Sequence, residues 1–181
     1  KQGFVKVASA TPRIRVADPV YNAQVICEQA KEAAEHGAKI VVFPELCITG
    51  YTCNDLFLQE LLLEKAKEAL LTIAEETGQL ETLFLVGLPV DKDGRLYNVA
   101  AVLYRGRILG MIPKKNIPMY AEFYEGRHFT PGEETVTEYR LGKQVIPFGS
   151  NLLFRCEELP ELILGCELCE DLWVAEPPST S

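Results

Sequence analysis

Apolar positions fall into short runs separated by polar, proline and glycine breaks, and the runs alternate between two periods. Residues 3–8, "GFVKVA", are a short apolar run that predicts a first strand, broken by the two prolines of "TPRIRVADP". From about Val20, the residues Ala23, Ile26, Ala30, Ala33 and Ala34 recur at three- and four-residue steps. That spacing predicts an amphipathic helix stopping near His36-Gly37. "KIVVFPE" predicts a β-branched strand closed by Pro44 and Glu45. After the loop "LCITGYTCN", Asn54 or Asp55 is expected to cap a second helix with a face of Leu58, Leu61, Leu62, Ala66, Ala69, Leu70 and Ile73. Residues 83–90 predict a buried strand and "DKDG" a turn, and residues 99–104 and 108–112 straddle "RGR" as a hairpin. Residues 113–142 show little periodicity, and such a loop inside a compact domain is usually functional. Two strand-like runs follow at 151–154 and 162–168, the second delivering Cys169.

This order of elements indicates an α/β layered domain. Fully apolar strands such as "IVVF" and "LILG" suit a sheet buried on both faces. Two helices among at least six strands cover only one face, so a second sheet is expected on the other, incomplete at the C-terminus. A length of 181 residues suits one domain or most of one, so 1–181 reads as a single, partial domain.

Composition narrows the function classes. A formal charge of -8, with no basic stripe, argues against nucleic acid. The longest apolar runs are far too short to span a bilayer, and no membrane partner is expected. Six cysteines are too sparse for a secreted disulfide framework, so a reducing, cytoplasmic location is expected.

Three reactive side chains stand just past strand ends, where open α/β sheets place their ligands. Glu45 follows "KIVVFP", Lys114 follows "RILGMIP", and Cys169 follows "LILGCEL". With only His36 and His128 in the chain, a cysteine–histidine pair is poorly supported. A carboxylate is then the base for a Cys169 nucleophile. Glu167, Glu170 and Asp171 would raise the pKa of that thiol, so a cation is needed beside it, and Lys114 supplies one. The same ammonium could hold an oxyanion, an effect worth roughly 3 kcal/mol per donor. Other roles are open to each residue. Cys27, Cys47, Cys53 and Cys156 read as small buried apolar groups. Lys114 and Lys115 could be solvated surface charges, and Glu45 a cap acceptor.

Cys166 and Cys169 form a C-x-x-C, but zinc wants four ligands, and no second such pair exists; no metal is expected. A redox pair would open a helix in an electropositive setting rather than end a strand amid acids. In an extended strand the two cysteines point to opposite faces, one into packing and one toward the site.

The stretches "VVFPELCITGY", "IPKKNIPMYAEFYEGRHFTPG" and "GCELCEDLW" resemble, in order and spacing, the three catalytic segments of the nitrilase (carbon-nitrogen hydrolase) superfamily. "TGYTCNDLF", "EFYEGRHF" and "CEDLW" resemble more specifically the N-terminal glutaminase domains of glutamine-dependent NAD synthetases. The resemblance implies an α-β-β-α sandwich in which Glu45 is general base, Lys114 oxyanion stabiliser and Cys169 nucleophile, with Glu122 supporting the lysine. Tyr51, Tyr120, Phe123 and Glu170 match positions lining a glutamine pocket, Glu170 being suited to the α-ammonium. Ammonia would pass to a C-terminal synthetase domain that uses ATP and Mg to amidate deamido-NAD, with no cofactor in the present domain. That second domain is not within these 181 residues. The missing initiator Met and the "EPPSTS" end imply a partial domain, poorly active in isolation and prone to self-association as a homo-oligomer. Two other classes remain open: a stand-alone amidase or carbamoylase, and a non-catalytic interaction module.

Overall fold

In the computed structural model, which describes residues 3–180, the helical period becomes α1 (Pro19–Glu35) and α2 (Glu60–Glu76). Asp18 caps α1 by accepting the Tyr21 N–H at 3.1 Å, and Pro19 occupies the first turn, where its missing N–H costs nothing. α2 starts later than the apolar pattern predicts. Asn54 and Asp55 lie in a 3₁₀ stretch, Tyr51–Leu58, and Gln59 precedes the helix. Asn54, at φ 49° and ψ -131°, interrupts helical geometry there, and Leu58 and Leu61 are left exposed. The buried face of α2 is Leu62, Ala66, Ala69, Leu70, Ile73 and Ala74.

Seven strands form the main sheet: β1 (Val7–Ser9), β2 (Ile40–Val42), β3 (Leu83–Lys92), β4 (Arg95–Tyr104), β5 (Arg107–Pro113), β6 (Thr137–Leu141) and β7 (Gln144–Phe148). Their order is β1-β2-β3-β4-β5-β7-β6. β1, β2 and β3 run parallel, whereas β3–β4 and β4–β5 are antiparallel hairpins. The turns Asp93-Gly94 and Arg105-Gly106 have positive φ at both residues, the twist that suits two-residue hairpins. The β6–β7 hairpin was not expected from the sequence. Its alternation is present (Tyr139 and Leu141 in, Glu138 and Arg140 out), but short and polar enough to read as loop.

Alternate residues of each strand feed two cores. Phe84, Val86, Leu88, Val99, Ala101 and Leu103 face α1 and α2. Ala100, Val102 and Ile112, with Leu83, Leu85 and Leu109, face the other way, onto Leu152, Phe154, Cys166 and Leu168. This two-sided burial is why the strands read as continuous apolar runs. The opposite layer is small: β8 (Phe154–Arg155) and β9 (Ile163–Leu164) pair as a separate two-stranded sheet, shorter than the runs expected at 151–154 and 162–168. It sits directly on β5, since a Cβ at Gly110 would lie 2.9 Å from both Leu152 and Phe154 side chains. Among the described residues the layers are therefore helices, large sheet, small sheet.

Strand parity sets the site. β5 runs in the same sense as β2, because two antiparallel steps separate it from β3. The ends of β2 and β5 thus lie on one edge, but three strand spacings apart, about 14 Å. Gly87 on β3 lets the chain after β2 cross that gap. A Cβ there would meet the Leu46 nitrogen at 2.4 Å and the Pro44 oxygen at 2.7 Å, so the Pro44–Leu46 backbone rests on bare sheet. Leu46 itself has φ 52° and is fully buried, while Ile48 N–H reaches the Gly87 carbonyl at 3.1 Å. Gly87→Ala should therefore lower stability by about 1–3 kcal/mol or more and displace Glu45. An unchanged urea midpoint would show that this crossing has room to spare.

Candidate active site

Lys114 immediately follows β5 and has no solvent exposure, a costly position for a lone ammonium. Two carboxylates compensate. Its Nζ lies 2.8 Å from Glu45 Oε1, 2.8 Å from Glu125 Oε1 and 2.9 Å from Glu125 Oε2. Burial alone would lower the lysine pKa, but hydrogen bonds and attraction from Glu125 and Glu45 outweigh it, and the net shift is upward. Lys114 is thus cationic at rest.

Glu125, rather than Glu122, supports the lysine. Glu122 is exposed, whereas Glu125 is buried on the short 3₁₀ turn Glu125–Arg127. The physical reason is local: the His128 and Phe129 N–H groups bond back to the Glu125 carbonyl, and Phe129 packs in a small core with Leu46, Cys53 and Phe57. That docking turns Glu125 inward and leaves Glu122 outside. "EFYEGRHF" offers two glutamates, and spacing alone does not separate them.

Two further groups hold the carboxylates. Asn98, fully buried on β4 beside Lys114, donates from Nδ2 to Glu45 Oε1 at 2.7 Å and to Glu125 Oε2 at 3.5 Å. Tyr51 donates its hydroxyl to Glu125 Oε1 at 2.8 Å, and burial together with that carboxylate pushes the phenol pKa well up. Tyr51 therefore touches the lysine's partner. Asn98 escaped the sequence reading, although an asparagine within the apolar run "LYNVAAV" is the kind of buried polar group that needs explaining.

Cys169 is not inside a strand. It opens the 3₁₀ turn Cys169–Leu172 in a left-handed conformation, φ 44°, and is exposed. Non-glycine residues held there carry backbone strain. Its thiol pKa is raised, first by partial desolvation and then by the Glu45 charge, with Lys114 opposing and Glu125 and Glu170 adding. The resting thiol is neutral. Cys166 instead packs beside Leu168 on the sheet, and burial pushes its thiol up to about 12. The two cysteines do face different surroundings, and both are free thiols.

Tyr120 donates to Glu170 Oε2 at 2.7 Å and stacks edge-on with Phe123, ring centroids 5.7 Å apart. Tyr51 is thus tied to Glu125, and Tyr120, with Phe123 beside it, to Glu170, the residue after Cys169. Outside them, Asp55 binds Arg127 at 2.8 Å and 3.1 Å and His128 at 3.0 Å, fastening the lysine loop to the Tyr51–Leu58 stretch. Among the described residues no group of His, Cys, Asp and Glu side chains could hold a metal, and no helix is long and apolar enough to cross a membrane. The arrangement can do one kind of chemistry well: a thiol, a carboxylate to take its proton, and a fixed cation for developing negative charge.

The carbon-nitrogen hydrolase family model matches residues 6–178. The glutamine-dependent NAD(+) synthetase of Mycobacterium tuberculosis (strain H37Rv) is 40% identical over 179 residues, which is 99% of this chain and 26% of that protein. The Mycobacterium leprae synthetase is 39% identical, covering 98% and 26%. The chain thus spans about a quarter of the length of these relatives. Among solved structures, a glutamine-dependent NAD(+) synthetase from Cytophaga hutchinsonii superposes with a TM-score of 0.84 at 29% identity, covering 92% of this chain and 28% of that one. An amidase from Nesterenkonia shares the fold at a TM-score of 0.60 and 24% identity, over 79% of this chain and 54% of its own. With the family model matched almost end to end, this chain belongs to the carbon-nitrogen hydrolase family.

Proposed function

We propose that the chain is the glutaminase part of a glutamine-dependent NAD synthetase, releasing ammonia from glutamine through a cysteine thioester. The observation that carries this is the buried Lys114 held 2.8 Å from both Glu45 and Glu125, in a chain 40% identical to a relative of that name. In this reading Glu45 takes the Cys169 proton as the sulfur attacks the amide carbon. Negative charge then develops on the amide oxygen, and Lys114 is the cation fixed to receive it. Collapse of the adduct expels ammonia with the proton returned by Glu45, leaving the thioester. Glu45 next draws a proton from water, which hydrolyses the thioester and restores the thiol. Glu125, Asn98 and Tyr51 keep the lysine charged and the carboxylates oriented. Glu170, with Tyr120 on it, offers a carboxylate to the α-ammonium of glutamine, and Phe123 lines the same pocket.

The ammonia would be consumed by a C-terminal synthetase domain using ATP and Mg to amidate deamido-NAD. A related synthetase from Acinetobacter baumannii has been solved with adenosine diphosphate. Six free cysteines support a reducing, cytoplasmic setting, and the exposed Leu58, Leu61 and Trp173 support self-association.

Cys169→Ala in the full-length protein should cut glutamine-driven NAD synthesis by more than about three orders of magnitude while ammonium still supports it. Glutamine use retained in that variant would sink the assignment. Glu125→Gln should destabilise by about 1–3 kcal/mol, because it weakens the hydrogen bonds to a buried ammonium that keeps only Glu45 as counter-charge, and should cut turnover sharply. Glu122→Gln should leave both nearly unchanged, and equal effects from the two would reverse their roles. Because the Cys169 pKa is raised, its alkylation by iodoacetamide should be slow at pH 7. The rate should climb to an inflection above that of an ordinary cysteine. An inflection below the ordinary value would mean a resting thiolate and no need for Glu45 as base.

A further inference from the structure

Asp171, two residues past Cys169, is 2% exposed, yet its partners are N–H groups rather than a cation. Its Oδ1 accepts from Asn116 N at 2.7 Å, Asn116 Nδ2 at 2.9 Å and Lys115 N at 3.1 Å. Its Oδ2 accepts from Leu168 N at 3.3 Å and again from Lys115 N at 3.3 Å. The Asp171 N–H in turn reaches the Leu168 carbonyl at 3.0 Å. Leu168 and Asp171 therefore close a ring around Cys169, the residue held at φ 44°. The same carboxylate grips the first two peptide N–H groups after Lys114. One side chain, buried and saturated with donors, joins two turns 55 residues apart in sequence.

We propose that Asp171 is the positioning residue that fixes the Cys169 sulfur relative to the Lys114 ammonium. Glu45, Asn98 and Glu125 orient the lysine, whereas Asp171 binds the backbone of the lysine turn and of the cysteine turn at once. Attack on a carbonyl needs sulfur and oxyanion cation set to a fraction of an ångström, and about 1 Å of misplacement costs on the order of a hundredfold in rate. The proposal rests on reading Cys169 as nucleophile and Lys114 as its cation.

Charge and position are separated at the sulfur by a variant that loosens the lysine turn without deleting a charge. The charged groups acting on Cys169 are Glu45, Lys114, Glu125 and Glu170, with the phenols of Tyr51 and Tyr120 close by. Deleting a carboxylate that acts only through space would ease thiol ionisation and move the alkylation inflection down in pH. Freeing the thiol from the site relieves desolvation and the Glu45 charge, the two largest causes of its raised pKa, and also moves the inflection down, with no charge deleted.

The test uses the full-length protein carrying Asp171→Asn, Asp171→Ala or Asn116→Ala. Two readouts are taken: the pH profile of Cys169 alkylation by iodoacetamide, followed by mass spectrometry, and kcat and KM for ammonia release from glutamine. Asp171→Asn keeps the Oδ1 contacts and places an amide against the Leu168 N–H. We expect kcat to fall roughly tenfold to a hundredfold, further in Asp171→Ala, with KM within about threefold and the inflection moved down toward that of an ordinary cysteine. Asn116→Ala trims only the lysine side and deletes no charge, so it should lower kcat and move the inflection down by smaller amounts. A kcat unchanged in a folded Asp171→Asn, or a kcat and an inflection both unchanged in Asn116→Ala, overturns the proposal. If the unmutated protein releases no ammonia from glutamine while Asn116→Ala moves the inflection down, the substrate assignment fails and the positioning role stands.

Discussion

A single desolvated charge organises this molecule. Taking an ammonium out of water costs several kcal/mol even after relaxation, and the fold meets that cost by drawing two carboxylates to Lys114, one from its own loop and one from the turn after β2. Each recruitment imposes its own demand. Glu45 can arrive only if the chain after β2 crosses β3, which is why that strand carries a residue without a side chain at Gly87. Glu125 can arrive only if the lysine loop folds back, and Phe129 in its small core, Tyr51 on the carboxylate and the outer Asp55–Arg127 clip hold it there. The irregular segment between β5 and β6 is thus ordered by ion pairs and by the small apolar core together.

The same charge balance explains the thiol. Two carboxylates flank one ammonium, so the immediate surroundings carry an excess of negative charge, and partial burial adds to it. A sulfur in that field keeps its proton until something else can share the electrons. On the proposed reading, the thiol would ionise in concert with attack, in contrast to enzymes that store a thiolate beside an imidazolium.

Much of the frame was legible in the sequence because the physics there is local and periodic. α1, β3 and the β4–β5 hairpin follow from apolar spacing and from turn residues, and the three reactive side chains stood out by standing just past apolar runs. What escaped was decided by tertiary contact. The start of α2 moved because Asn54 takes up a conformation that spacing does not encode. The choice of Glu125 over Glu122 depends on how Phe129 docks, and β6 and β7 depend on the β5 edge waiting for them. Asn98 and Asp171 were visible as letters, but their partners lie far along the chain, so their roles emerge only when the strands are assembled.

A protonated amine on carbon has three hydrogens to offer, and around Lys114 every one already has a taker. A newcomer bearing negative charge must therefore displace an incumbent. The pincer grip of Glu125 is the contact with slack: its two oxygens have substitute donors in Tyr51 and Asn98, so either can surrender its share without being stranded. The resting site is in this sense a sprung latch, satisfied by its own groups and able to release one hydrogen toward a visitor with little loss.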